Sequence, residues 1–331
     1  MEDIQYKAFV VEEQDSKFIR TIQTLSTDNL PAGDVLIRVH YSSLNYKDAL
    51  SSTGNKGVTK KYPHTPGIDA AGIVKHSDND RFRAGDEVIV TGYDLGMNTA
   101  GGFGQYIRVP AEWVVKIPAG LSMKESMIIG TAGFTAGISV LRLSELIKPD
   151  DGKIIVSGAT GGVGSVALTI LSEIGYQTVA ITGKESEYDF LKHLGVNEII
   201  SRSTFMAIDK RPLFSAQYAG AIDTVGGTVL ENILKTINPL GAVTTCGSVS
   251  STQLNTTMFP FILRGITLIG VSAQNYPSNL RVNLWNKLAD AWKPENLSEI
   301  VSEIKLEEIE HKIDLMLKGN LKGRTIVNLI D

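Results

Sequence analysis

Gly158, Gly161, Gly162 and Gly164 lie close together in the stretch "VSGATGGVGSVAL", the strongest chemical signal in this chain. A glycine is required where another group must lie against the main chain. The stretch follows the apolar "KIIVSG" and runs into an apolar, helix-like segment, so it reads as strand, tight turn and helix start. The free N–H groups and positive dipole end of such a helix attract an anion. Glycines there let a pyrophosphate rest on the backbone, as in dinucleotide-binding folds. The spacing departs from G-x-G-x-x-G, because Thr160 holds the middle position and Gly161-Gly162 follow it. Thr160, Gly161, Gly162, Val163 and Gly164 are therefore the expected diphosphate cradle. The competing reading is a helix that packs tightly on its sheet. It needs one glycine, and the stretch has four.

The next strand ends in "AITGKESEY". NAD-binding folds place an acid about 20 residues past the glycine turn to bind the ribose hydroxyls. Thr182, Gly183 and Lys184 occupy that place here. Lys184 would pair with a 2′-phosphate, and no carboxylate among the three repels one. Arg202, in "IISRS", is placed to close over the same phosphate. Both cations also suit a solvated surface. Together with the missing acid they favour NADPH over NADH.

The elements around these residues fall into two styles. "DVLIRVHYSSLN" alternates, "IDAAGIV" is short and apolar, and "GDEVIVTG" follows a Gly-Asp turn. Glycine and proline punctuate this part densely, which predicts a compact β domain. From "SMKESMIIGTAGFTAGISVLRLSEL" onward, helical and strand patterns alternate through "GITLIGVS", which predicts βαβ units and a parallel sheet. The tail from Ser302 is mixed and ends in the strand "RTIVNLI".

Composition narrows the function classes. The chain has 331 residues, 43% hydrophobic and 21% charged, and a net charge of -4. Nothing global favours nucleic acid. The lone Cys246 excludes an internal disulfide framework and a multi-thiolate zinc site. The acidic "MEDIQYKAFVVEEQD" lacks a signal-peptide pattern, so a cytoplasmic location is expected.

Several stretches carry a family resemblance: "SSLNYKDAL", "PHTPGIDAAGIV", "GDEVIVTG", "GGFGQYIRVP", "IIGTAGFTA" and "SGATGGVG". In that order, over nearly the whole chain, they resemble the zinc-free quinone-oxidoreductase branch of the medium-chain dehydrogenase/reductase superfamily. "GAIDTVGG", "MFPFILRG" and "KGRTIVN" are similar to its acrylyl-CoA reductase subgroup, many of which carry a quinone-oxidoreductase label. The resemblance implies a GroES-like catalytic domain over 1–124, a Rossmann NADP-binding domain over 125–270, and a C-terminal segment over 271–331 that returns to the catalytic domain.

Zinc-dependent relatives read Gly-His-Glu where this chain reads Gly67-Ile68-Asp69, and no cysteine stands in "SSLNYKD". No metal is therefore expected. Without a Lewis acid, alcohol oxidation lacks its usual stabiliser of an alkoxide. Reduction of an activated C=C bond needs none.

The resemblance puts "SSLNYKDAL" at the nicotinamide. Asn45 would donate to a carbonyl or the cofactor. Tyr46 would donate to an enolate or pack on the nicotinamide. Asp48 would orient a neighbour. All three also suit a turn after a strand. Further cofactor contacts are expected at Thr131, Thr135, Ser248, Ile262, Ser272 and Arg324. Lys56, Lys60 and Lys61 in "GNKGVTKKYPH" are candidates for coenzyme A phosphates, or form a plain solvated loop. The functions weighed are acrylyl-CoA reduction, quinone or enone reduction, and a non-enzymatic role of the kind this superfamily has acquired elsewhere. The apolar stretch 265–272 is expected to be an exposed edge strand, paired with its copy in a homodimer.

Overall fold

The computed structural model describes residues 3–207, 211–295 and 297–330. It resolves into two compact units. Unit 1 comprises 1–131, 274–289 and 297–331, and unit 2 comprises 132–273 and 290–296.

Unit 1 opens with a hairpin, β1 (Gln5–Gln14) and β2 (Lys17–Ser26). Asp15 and Ser16 turn it with φ of 49° and 62°, the left-handed pair that matches strand twist. Then come β3 (Val35–Ser43), α1 (Tyr46–Ser51), β4 (Asp69–Ser77), β5 (Glu87–Thr91), β6 (Tyr106–Val109) and β7 (Val114–Lys116). The first part of α2 (Met123–Ser144) follows. After unit 2, unit 1 adds α8 (Ser278–Ala289), β14 (Val301–Lys305), α9 (Ile309–Leu317) and β15 (Arg324–Asn328). Its main sheet runs β14-β15-β3-β4-β5-β7, with β6 also on β3. Ile37, Val39, Val74, Val88, Phe103 and Ile107 fill the core. Their alternation along β3, β4 and β5 is the pattern visible in the sequence. The C-terminal strand β15 lies antiparallel on β3, with Ile326 opposite Ser43. That pairing carries Arg324 to the start of α1.

Unit 2 holds β8 (Ile154–Val156), α3 (Gly162–Glu173), β9 (Thr178–Thr182), α4 (Tyr188–His193), β10 (Glu198–Ser201) and α5 (Arg202–Met206). It continues with β11 (Tyr218–Asp223), α6 (Gly227–Thr236), β12 (Ile237–Thr245), α7 (Phe259–Arg264) and β13 (Thr267–Gly270). The sheet order is β10-β9-β8-β11-β12-β13, parallel throughout. Counted from β8 this is the 3-2-1-4-5-6 order of a dinucleotide-binding sheet. β8, β9 and β11 are buried along their whole length, which explains their continuous apolar runs. The order reverses between β8 and β11, so the turns after those two strands flank the crevice where such sheets bind ligands.

The boundary between the units differs from the sequence expectation. The division between units falls after Thr131 rather than after 124. Helix α2 is also long and apolar enough to cross a membrane, but 83% of its apolar window is buried inside the protein.

Candidate functional site

Three of the residues expected at the site, Asn45, Thr131 and Arg324, meet in unit 1 around a carboxylate that sequence reasoning gave no role, Asp69. Ser43 Oγ donates to its Oδ2 at 2.5 Å, and Asn45 Nδ2 donates to the same oxygen at 2.7 Å. The Thr131 amide reaches Oδ2 at 2.9 Å, and the Thr131 hydroxyl reaches Oδ1 at 2.5 Å. The Arg324 guanidinium lies 3.8 Å away at Nη2. Arg324 also donates to the Ile128 carbonyl at 2.9 Å, Asn45 Oδ1 at 3.2 Å and Ser43 Oγ at 2.8 Å. Arg324 is thus a buried member of this cluster, and the donors named here are spent within unit 1.

Gly130 lets the cluster close. It kinks α2 with φ of 49°. A Cβ there would sit 2.6 Å from both Asp69 Oδ2 and Ser43 Oγ.

Asn45 uses both Nδ2 hydrogens inside the protein, the second on the Ser43 carbonyl at 3.1 Å. Asp48 is fully buried. It accepts from the amides of Asn45, Gly67 and Ile68 at 2.7, 3.1 and 2.9 Å. It therefore fixes the N-terminus of α1 to the loop before β4. Burial, helped by the Asp69 charge, pushes its carboxyl up to about 7 against those three amides.

Tyr46 differs from these. It is 41% exposed, and its hydroxyl has no partner among the described residues. Lys47, beside it, was not singled out in the sequence. Its ammonium donates to Gln274 Oε1 at 2.6 Å. Burial lowers its pKa, and Asp48 partly opposes that.

In unit 2, Gly161 caps the N-terminus of α3 in extended conformation, and Gly162, Val163 and Gly164 form the first turn. Two of the four glycines answer to the chain's own packing. A Cβ on Gly164 would lie 2.4 Å from the Gly158 carbonyl oxygen, and one on Gly158 would lie 2.2 Å from Thr224 Oγ1. Gly161 meets only that same carbonyl, at 3.2 Å. Packing therefore explains more of these glycines than the sequence implies, and Gly161 is the one of these three without a severe contact inside the chain. Thr160 is buried beside them.

Asp223, at the end of β11, secures this turn. Ser157 Oγ donates to Asp223 Oδ1 at 2.6 Å, and Thr245 Oγ1 donates to Oδ2 at 3.0 Å. An acid closing the apolar run "GAID" is the signal that could have marked it.

A pocket of ≈ 430 Å³ opens past the end of β9, lined by Gly183, Glu185, Ser201, Arg202, Ser203 and Ser250 among others. Gly183 faces Arg202, and a Cβ there would stand 2.6 Å from its Nη2. The Arg202 guanidinium has no partner among the described residues. An anion such as a 2′-phosphate therefore fits this pocket. Lys184 is not part of the lining, and its amide closes on Thr182 Oγ1 at 3.0 Å. The lining does include an acid, Glu185, which the sequence argument about Thr182–Lys184 left out.

The other residues expected to touch a cofactor are scattered. Thr135 is buried in α2. Ser248 and Ser272 are exposed beyond β12 and β13. Ile262 is 66% exposed on α7. Burial, with the Asp223 charge, pushes the Cys246 thiol up to about 12. Lys56 is engaged by Glu13 at 2.6 Å and lies 4.7 Å from the Tyr62 ring centre.

A glycine turn at the switch point of a 3-2-1-4-5-6 sheet, joined to a β-rich unit with a buried polar cluster, defines a nicotinamide-dependent dehydrogenase or reductase. Residues 31–119 match the alcohol dehydrogenase GroES-like domain, and residues 162–290 match the zinc-binding dehydrogenase family. The chain is 37% identical to the acrylyl-CoA reductase AcuI of Ruegeria pomeroyi, over 98% of this chain and 99% of that protein. The yhdH oxidoreductase of Salmonella enterica, solved in complex with NADP, is 43% identical with a TM-score of 0.95, over 98% of this chain and all of that one (100%). The Bacillus subtilis protein yhfP, solved with NAD bound, is 40% identical with a TM-score of 0.96, over 98% and 100% of the two chains. This chain belongs to the medium-chain dehydrogenase/reductase superfamily, in the family of these proteins. The second family model is described by zinc, yet no group of three metal-ligating side chains comes together among the described residues.

Proposed function

We propose that this protein is an NADPH-dependent, zinc-independent reductase of activated C=C bonds that converts acrylyl-CoA to propionyl-CoA. The observation that carries the substrate is the full-length similarity to the Ruegeria acrylyl-CoA reductase. The cofactor is supported by the unpaired Arg202 guanidinium in the pocket beside Gly183 and by the NADP complex of the Salmonella relative. Bound NADPH supplies the hydride. The amides at the start of α3 and the Arg202 guanidinium would hold its phosphates. In unit 1, Asn45, Asp48, Thr131 and Arg324 act as positioning residues, because their polar groups are engaged with Asp69 and the loop before β4. Tyr46, exposed at the start of α1, is left to contact cofactor or substrate.

A second reading, a quinone or enone reductase, is favoured by one observation. Glu13 neutralises Lys56, so the basic group expected to hold coenzyme A has one cation fewer. Steady-state assays with NADPH decide between the two. Acrylyl-CoA is expected to give the higher kcat/KM. Turnover of benzoquinone without turnover of acrylyl-CoA would overturn the first reading. A cytoplasmic homodimer completes the proposal, with β13 as its interface.

A further inference from the structure

In the cluster around Asp69, nearly every polar group is sealed in. Ser43 and Asp69 are fully buried, Arg324 is 2% exposed and Asn45 is 8% exposed. The Thr131 hydroxyl is committed to Asp69. Tyr46 and Lys47 follow Asn45 in the first turn of α1, the first exposed and the second half-buried. They are held differently. The Tyr46 phenol is exposed and has no partner among the described residues. The Lys47 ammonium is half-buried and, among the described residues, makes no ion pair and is held by one neutral acceptor, Gln274 Oε1 at 2.6 Å.

That acceptor is itself fixed. The Gln274 carbonyl accepts from the Tyr93 amide at 2.8 Å and from Arg281 Nη2 at 3.3 Å. Arg281 is 1% exposed, lies 4.7 Å from the Tyr93 ring centre, and donates to the Thr91 carbonyl at 2.9 Å. Tyr93 stacks on Trp113 with ring centres 5.4 Å apart. These contacts hold the backbone of Gln274, and from that anchored position its carboxamide meets Lys47.

A surface ion-pair lysine would be held by a carboxylate. A half-buried lysine held by a neutral amide keeps its ammonium proton free of a carboxylate partner. Its pKa is lowered by burial, which brings it toward the working range of a general acid, and Asp48 on its own helix is the charged group that opposes this. On the far side of Gln274, Arg281 on α8 donates to the Gln274 backbone carbonyl.

We infer that Lys47 is the proton donor of the reaction, delivering a proton from Nζ to the α-carbon of the enoyl thioester, with Gln274 as its positioning residue. The inference rests on the C=C reductase reading. As the β-carbon receives hydride, the electron pair of the C=C bond shifts toward the thioester carbonyl. An N–H bond of the ammonium then breaks and a C–H bond forms at the α-carbon. The neutral amine left behind regains a proton from water.

Lys47→Met and Lys47→Arg test this, since arginine keeps the charge but does not give up a proton at neutral pH. Both are expected to lose about 100-fold or more in kcat, with the KM for acrylyl-CoA within about threefold. In D2O the wild type is expected to place deuterium on one face of the α-carbon, and Lys47→Met on both. Without cofactor, competitive acylation read by mass spectrometry is expected to give Lys47 a lower apparent pKa than exposed Lys60. Near-normal kcat in Lys47→Arg, one-sided deuteration in Lys47→Met, or a Lys47 pKa equal to that of Lys60 would overturn the assignment. The two ideas fail separately. Wild type inactive on acrylyl-CoA and on a simple enone sinks the reductase reading and the donor with it. Active wild type with an active Lys47→Arg sinks the donor alone.

Discussion

Asp69 and Arg324 form an ion pair inside unit 1, with Oδ2 and Nη2 3.8 Å apart and side chains 0% and 3% exposed. At that distance the link is carried as much by the shared partners Ser43 and Asn45 as by the charges themselves. The pair lets β15, the last strand of the chain, set the geometry of α1.

Asp69→Asn leaves the Arg324 guanidinium in that interior without its nearest counter-charge. Breaking a buried pair from one side costs about 3–5 kcal/mol. Urea unfolding is expected to show a loss of that order. Replacing both residues with apolar side chains of similar volume is expected to recover much of it, because no charge then remains to be buried. A loss under about 1 kcal/mol for Asp69→Asn would mean that the pair is not a stabilising junction.

Asp48 gives a pH signature. Its folded value of about 7 lies above the roughly 3.9 of an unfolded aspartate. Between those values the folded protein binds more protons than the unfolded chain. Its contribution to stability therefore declines as pH rises from about 4 to about 7, and is level above that. The full decline is at most about 4 kcal/mol. Asp48→Asn removes the titration. The stability of the wild type relative to this variant is expected to fall between about pH 5 and pH 7, read by urea unfolding at each pH. A difference that is flat, or that rises with pH, would remove the titration from Asp48.

These two carboxylates show where sequence reading stops. The parallel sheet was legible because β8, β9 and β11 are buried on both faces and print as continuous apolar runs. The glycine turn was legible because backbone conformation leaves a local trace in residue type. The unit 1 cluster was not, since it joins Ser43, Asp69, Thr131 and Arg324 through strand pairing and a kink at Gly130. Sequence spacing does not encode such long-range meetings. For the same reason the bonds of Arg324 to Ser43 and Asn45 could not be read from the sequence, and the Lys47–Gln274 bond left no mark at all.

Cofactor choice should follow the pocket. Arg202 lines it and Lys184 does not. Arg202→Ala is expected to weaken NADPH binding by about ten- to a hundredfold, the worth of a charge-assisted contact, and to leave NADH nearly unchanged. Lys184→Ala is expected to have the smaller effect. Fluorescence titration with each nucleotide measures both. Equal losses of NADPH and NADH in Arg202→Ala would show that its guanidinium does not read the 2′-phosphate.

The edge of unit 2 predicts assembly. β13 is the outermost strand of its sheet. The Val271 amide donates to the Thr245 carbonyl at 2.9 Å. Residues along a strand alternate in direction, so Thr267 and Ile269 face β12 and the Leu268 amide faces outward. The connection leading into β13 exposes Met258 at 64%, Ile262 at 66% and Leu263 at 63%. An open edge beside exposed apolar side chains invites pairing with a second copy. An antiparallel match across a two-fold axis would extend the sheet through both chains. Light scattering is expected to give twice the 35.8 kDa chain mass. Leu268→Pro removes an outward N–H while sparing the bonds to β12, so it should yield a folded monomer with unchanged far-ultraviolet circular dichroism. Ile262→Glu places a charge on the same face and should also favour the monomer. A wild-type monomer at micromolar concentration would sink the assembly. A Leu268→Pro dimer of full mass would show that the two copies meet elsewhere, because a shared ladder cannot form without that amide.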